Sequence, residues 1–172
     1  MTLLAGFVCL AVVLRLATLA ISIRNEKRLR LAGAQEYGAR TSKAIAVAHV
    51  VFYLAAIAEG YWHGGPMSWV SYTGIAIYLF SMAALFWVIS NLGSVWTVKV
   101  FIAPDHKLNT GWLFRKLRHP NYFLNILPEL VGFALALQAY GTLVIGLPIY
   151  ALILARRIRE EEEAMHTHFP QY

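Results

Sequence analysis

The chain has one cysteine in 172 residues. A single Cys9 excludes an internal disulfide, a cysteine zinc cluster and an iron–sulfur site, and it reads as a small packing residue in an apolar helix. Charge is scarce as well. Asp, Glu, Lys and Arg make up 14% of the chain, where an ordinary globular domain carries about 25%. No histidine pair has metal-ligand spacing with a carboxylate, so no metal is expected; His166 and His168 read as solvated. There is no glycine-rich phosphate loop and no basic stripe interleaved with aromatics. Nucleic acid is therefore excluded as a partner despite the net charge of +6. What the chain does have is apolar surface, with 59% hydrophobic residues and a mean hydropathy of +0.56. That balance excludes disorder, which needs the opposite, and it leaves too few charges for a small soluble domain.

A hydrocarbon core about 30 Å thick needs about 20 mostly apolar helical residues. Residues 2–23, 44–62 and 69–90 supply three such runs, and 120–137 and 140–156 supply two shorter ones, interrupted by Pro128 and Pro148. The expected fold is an all-α integral membrane bundle of about five transmembrane helices. It reads as one domain over 1–172, with a three-helix membrane half (1–90) and a half with two further helices (91–172), which the resemblance given below implies to be the cofactor-binding half. Of the 15 Lys and Arg residues, only Arg15 lies outside the segments that follow runs one, three and five. By the positive-inside rule the N-terminus is outside and the C-terminus and long loops are cytoplasmic, as in a bacterial inner membrane. Chemistry on soluble groups is expected at that cytoplasmic face.

Polar residues inside the runs are informative. Ala11, Arg15, Thr18 and Ser22 share one helical face, as do Ser71, Gly74, Tyr78 and Ser81; both read as packing stripes. Asn121, Asn125, Glu129, Gly132 and Ala136 share another face. Glu129 is either functional or half of an internal ion pair. Arg15 lies about 12 Å from the inner end of run one and Glu129 about 14 Å into run four, at 1.5 Å per residue. The matched depths predict that the two pair, directly or through Asn125. Glu59 and His63 read as interfacial, and His49 as a buried, hydrogen-bonded histidine.

The segment His106-Lys107-Leu108-Asn109-Thr110-Gly111, then Phe114, then Arg118-His119-Pro120-Asn121-Tyr122, resembles the isoprenylcysteine carboxyl methyltransferase family. A second match is Arg157, Glu161-Glu162, Met165, Phe169 and Tyr172, which looks like that family's closing pattern. Leu117-Arg118-His119-Pro120-Asn121-Tyr122, Asn125, Pro128-Glu129 and the early Ser22-Ile23-Arg24-Asn25-Glu26-Lys27-Arg28 are similar to a bacterial branch that O-methylates alkylpyrones and alkylresorcinols.

The resemblance implies S-adenosylmethionine as cofactor, held by His106, Leu108, Asn109, Phe114, His119, Pro120, Asn121, Tyr122 and Glu161. It implies Arg157 and Glu161 as catalytic groups and Arg157, Asn125 and Trp96 as contacts to a lipophilic acceptor. A type III polyketide synthase would supply that acceptor, and membrane lipid is the other partner. Pro120 suits a first helical turn, whose free amides could receive the methionine carboxylate. Arg157 and Glu161, one turn apart, could also be a plain surface pair. Alternatives are carboxyl methylation of an isoprenylcysteine, a membrane reductase using a nicotinamide, and a non-catalytic scaffold.

Overall fold

A computed structural model describes residues 2–63, 65–102 and 119–168. The first three elements of the bundle are α1 (Thr2–Leu31), α2 (Ala39–His63) and α3 (Trp69–Leu92). Helix α4 opens as a π-helix, Asn121–Ile126, and continues as an α-helix, Leu127–Ala136. Helix α5 likewise opens as a π-helix, Thr142–Gly146, and continues as Leu147–His168. Each wide opening lies just before a proline, Pro128 or Pro148. Proline has no amide to give the carbonyl four residues back, and a wider turn absorbs the missing bond.

Five apolar runs thus become five helices, but not five helices of membrane length. Leu3–Leu31, Ala39–His63 and Trp69–Val95 are long and apolar enough to cross a bilayer, while Asn121–Ala136 is a shorter apolar helix. At 1.5 Å per residue its 16 positions reach about 24 Å, short of a core about 30 Å thick. The second half of α5 carries Arg156, Arg157, Arg159 and four consecutive glutamates from Glu160. Among the described residues, three helices thus have spanning length and two fall short on length or charge.

Helices α3 and α4 pack backbone to backbone. A Cβ on Gly132 would lie 2.6 Å from the Tyr78 nitrogen and 2.7 Å from the Gly74 oxygen, so only glycine allows this approach. Ser71, Tyr78 and Ser81 on α3 are buried, as are Ala11, Thr18 and Ser22 on α1. Both small-residue stripes pack as expected. Tyr53 stacks on Phe133 at 4.0 Å, and Phe7 meets Tyr78 edge-on at 5.1 Å, filling the space between α1, α2, α3 and α4.

A two-stranded ribbon was not expected. Strand β1 (Gln35–Tyr37) pairs antiparallel with β2 (Val100–Ile102), with Glu36 opposite Phe101. It ties the loop after α1 to the segment after α3. Glu26 fastens the same corner, accepting from Arg30 at 2.9 Å and Lys99 at 2.7 Å, while the Arg30 guanidinium lies 4.9 Å over the Phe101 ring. Asn25 adds a second tie by donating to the carbonyls of Gly93 and Trp96 at 3.0 and 2.9 Å.

The charged interior is resolved as the depth match predicts. Arg15 pairs with Glu129 and also donates to the Asn125 side-chain oxygen at 3.4 Å. The Tyr53 hydroxyl donates to the same carboxylate. Glu59 lies at the other end of the bundle, where its oxygens accept from the amides of Gly141 and Thr142 and the Thr142 hydroxyl, each at 2.7 Å. It is a carboxylate cap on α5, favoured by the unpaired amides of a helix start.

Candidate functional site

Two distant stretches of sequence meet at the start of α4 and the charged end of α5. His119 and Tyr122 flank Pro120, which sits in the first helical turn as its fixed φ allows. Their rings stack at 5.6 Å, 20° from parallel. From α5, Glu161 accepts the Tyr122 hydroxyl at 2.7 Å and lies 3.7 Å from His119 Nδ1. Glu162 lies 3.3 Å from His119 Nε2. So the Arg-His-Pro-x-Tyr segment and the Glu pair form one cluster, two carboxylates against one imidazole and one phenol. The carboxylates remain open, with side chains 25% and 37% exposed, while the His119 side chain is 5% exposed.

The backbone amides of this helix start are less free than the sequence suggested. Those of Tyr122 and Phe123 bond the His119 carbonyl at 3.1 and 3.3 Å.

Arg157 is buried, and it does not pair with Glu161. Its Nη1 donates to the carbonyls of Tyr37 and Gly38 at 3.3 and 3.2 Å. The surface pair one turn apart is instead Arg156 and Glu160, at 3.2 Å. Gly38 makes this contact possible. Its φ is +61°, and a Cβ there would sit 2.8 Å from Arg157 Nη1 and 2.7 Å from a Glu160 oxygen. Glu160 also accepts the Thr41 hydroxyl. That bond, opposed by burial and helped by Arg156 and Arg157, holds the Glu160 carboxyl below its usual range.

A cavity of about 240 Å³ begins at Tyr122, Asn121 and Arg157. It runs past Trp96 and Asn125 toward Arg15, His49 and Tyr150. Leu16 and Leu19 of α1 and Val50 of α2 also line it, and all three are exposed on the outside of the bundle. The cavity therefore reaches the apolar surface between α1 and α2.

Trp96 is placed in this wall by Asn25, a positioning residue whose partner the early Ser22–Arg28 match did not reveal. Asn125 lines the cavity, but both ends of its amide are engaged, by Arg15 and by the Ser81 carbonyl at 3.1 Å. His106, Leu108, Asn109 and Phe114 lie outside the described residues, as do Phe169 and Tyr172. Among the described residues, buried polar atoms without a hydrogen-bond partner include Arg157 Nη2, Asn121 Oδ1, Trp96 Nε1 and His49 Nε2. All four residues line this cavity.

The family model for the isoprenylcysteine carboxyl methyltransferase family matches residues 74–167. The chain is 49% identical over 165 residues to an uncharacterized protein of Haemophilus influenzae, covering 96% of this chain and 95% of that one. It is 31% identical over 163 residues to the uncharacterized protein YpbQ of Bacillus subtilis, covering 94% and 95%. No solved structure matches the chain.

Proposed function

This chain belongs to the isoprenylcysteine carboxyl methyltransferase family, and on that premise we propose that it transfers a methyl group from S-adenosylmethionine to an oxygen of a lipophilic acceptor. The acceptor we favour is the hydroxyl of an alkylpyrone or alkylresorcinol, the product of a type III polyketide synthase. The observation that carries this reading is the cavity of about 240 Å³. It joins the motif residues Tyr122 and Arg157 to an apolar surface where a lipid tail can enter.

S-adenosylmethionine, when bound, supplies a methyl group activated by a sulfonium. The residues present fit it. Glu161 and Glu162 are open carboxylates suited to its ammonium and ribose hydroxyls. The His119 ring suits its carboxylate, and the Tyr122 face suits a cation. The buried Asn121 Oδ1 without a partner is a further acceptor at the same end. His106, Leu108, Asn109, Phe114 and Pro120 complete the cofactor set that the family pattern implies.

The chain's own residues then do three things. The cavity wall excludes water from the reacting oxygen. Arg157, held by two backbone carbonyls, keeps Nη2 for that oxygen, and its charge favours the ionised form of an acidic hydroxyl. Transfer is an in-line attack in which positioning supplies most of the rate. Trp96 and Arg157 fix the head while the tail lies between α1 and α2.

We place this site at the cytoplasmic face of a bacterial inner membrane, with the N-terminus outside. In a Cys9→Ser background, Ala32→Cys and Gly65→Cys should label from opposite sides. The activity test is incubation of the purified protein with methyl-labelled S-adenosylmethionine and a lipid extract. A labelled product that survives mild alkali is an ether, as proposed. Alkali-labile label points to a carboxyl ester and the isoprenylcysteine alternative. Absence of S-adenosylmethionine binding, with binding of a nicotinamide, overturns methyl transfer in favour of the reductase.

A further inference from the structure

The cavity has two polar ends. Arg157, Asn121 and Trp96, each with a buried atom lacking a partner among the described residues, belong to the end near His119 and Tyr122. His49 does not. It lies seven residues beyond Ser42 on α2 and faces Tyr150, seven residues before Arg157 on α5. Seven residues of helix rise about 10 Å, so His49 sits roughly that far below the first end. Ile45, Leu85 and Ile126 line the wall as well.

The lower end is held rigid. His49 Nδ1 is 3.5 Å from the Tyr150 hydroxyl, and its ring stacks on Tyr53 at 5.0 Å. Its Nε2 is 3.5 Å from Glu129, whose carboxylate is engaged by Arg15 and Tyr53. The ring is thus fixed, and Nε2 makes no hydrogen bond among the described residues. A plain hydrocarbon tail packed here would leave that atom buried and unsatisfied, which disfavours binding. An oxygen on the occupant would satisfy it.

Resting on the methyl-transfer reading, we propose that His49 is a specificity-determining residue that hydrogen-bonds a second oxygen of the acceptor, distinct from the oxygen that is methylated. The acceptor class is then a compact head with two oxygens, one at Arg157 and one at His49, whose tail leaves sideways between α1 and α2. Arg15, His49 and Tyr53 lie outside residues 74–167, the stretch that the family model matches. The selectivity is therefore supplied by helices that the shared pattern does not describe.

The test compares 5-pentylresorcinol with 3-pentylphenol, which has the same tail and one oxygen fewer. Sites built to bond a hydroxyl reject the analogue lacking it. The wild-type protein should prefer the diol about ten-fold or more in kcat/KM and in equilibrium binding read by tryptophan fluorescence. His49→Phe should bring that ratio near one, through KM, while S-adenosylmethionine affinity stays unchanged. His49→Gln, which keeps a hydrogen-bonding group, should retain most of the preference. An unchanged ratio in His49→Phe, or no preference in the wild type, overturns the proposal. If neither probe is methylated, the phenol-acceptor reading fails, and the binding ratio still decides the role of His49.

Discussion

Two polar clusters flank one cavity, which Arg15 lines from the deep one and Tyr122 from the shallow one, and they differ in almost every physical respect. In the deep one the Glu129 side chain is fully buried and Arg15 is 22% exposed. Glu129 is engaged by Arg15 and Tyr53, and its partners reach it from α1 and α2. In the shallow one Glu161 and Glu162 stand partly open beside His119 and Tyr122, tied to them by hydrogen bonds of 2.7 Å from Tyr122 and 3.3 Å from His119. A carboxylate closed on all sides holds helices together. One with an open side can exchange its partner for a ligand. The difference assigns stability to the first cluster and binding to the second, and each assignment can be broken by substitution.

The largest effect should come from stranding one charge in the deep cluster. Glu129→Leu leaves Arg15 without its counter-ion, and breaking a buried pair costs about 3–5 kcal/mol. The double variant Arg15→Leu with Glu129→Leu removes both charges and should recover much of that loss. Unfolding in detergent, followed by circular dichroism, measures both. If the double variant is as unstable as the sum of the two singles, the pair is not the unit holding α1 to α4.

That ion pair was legible in the sequence because depth along a helix is simple arithmetic, and two charges in hydrocarbon have few alternatives. The five helices were legible for a similar reason, since long apolar runs allow little else. The meeting of His119 and Tyr122 with Glu161 was legible only through the family pattern. Nothing in local spacing brings residues 119 and 161 together. What stayed hidden depended on backbone partners far along the chain. Arg157 bonds the carbonyls of Tyr37 and Gly38, some 120 residues away, so its spacing to Glu161 misled. The ribbon has strands of three residues, too short to show alternation. Asn25 stood in a motif match, but nothing in its neighbours along the chain showed that it holds Gly93 and Trp96.

The shallow cluster should respond chiefly through lost binding. His119→Ala and Tyr122→Ala each remove half of a stacked pair and a contact to the glutamates. S-adenosylmethionine affinity should fall about ten-fold or more, equivalent to about 1.4 kcal/mol. Both rings are buried and Tyr122 belongs to the apolar core, so the unfolding midpoint of the two alanine variants should fall as well, whereas that of Tyr122→Phe should move little. Tyr122→Phe keeps the ring and loses only the bond to Glu161, so its loss should be smaller, about 1 kcal/mol. Calorimetric titration separates the three. Wild-type affinity in all of them would move the cofactor away from this cluster.

Gly38 tests the joint between the two regimes. Its positive φ and its contact with Arg157 make it intolerant of a side chain. Gly38→Ala should cost about 1 kcal/mol of stability from backbone strain alone. It should also displace Arg157 and lower kcat more than it weakens S-adenosylmethionine binding. Equal losses in kcat and cofactor affinity would mean that Arg157 serves the cofactor rather than the acceptor.

The smallest expected effect is a pH dependence at the edge of the same joint. Glu160 accepts the Thr41 hydroxyl, and this bond, against a smaller opposing effect of burial, lowers its carboxyl from the ordinary value of 4.5; Arg156 and Arg157 add to the lowering. A carboxyl whose folded value is depressed stabilises the fold above its unfolded value, and that contribution is lost as pH falls through the folded value. Thr41→Val removes the leading cause. At pH 7 the variant should unfold about 1 °C below the wild type, since a partly exposed contact is worth a few tenths of a kcal/mol. The gap should narrow as the pH is taken below 4.5, because protonated Glu160 no longer distinguishes the two proteins. Glu160→Gln should unfold near the Thr41→Val midpoint at pH 7 and respond less to acid than the wild type. A gap that stays constant from pH 7 to pH 3 would mean that Thr41 acts by packing and that the charge on Glu160 has no part in holding the loop to α5.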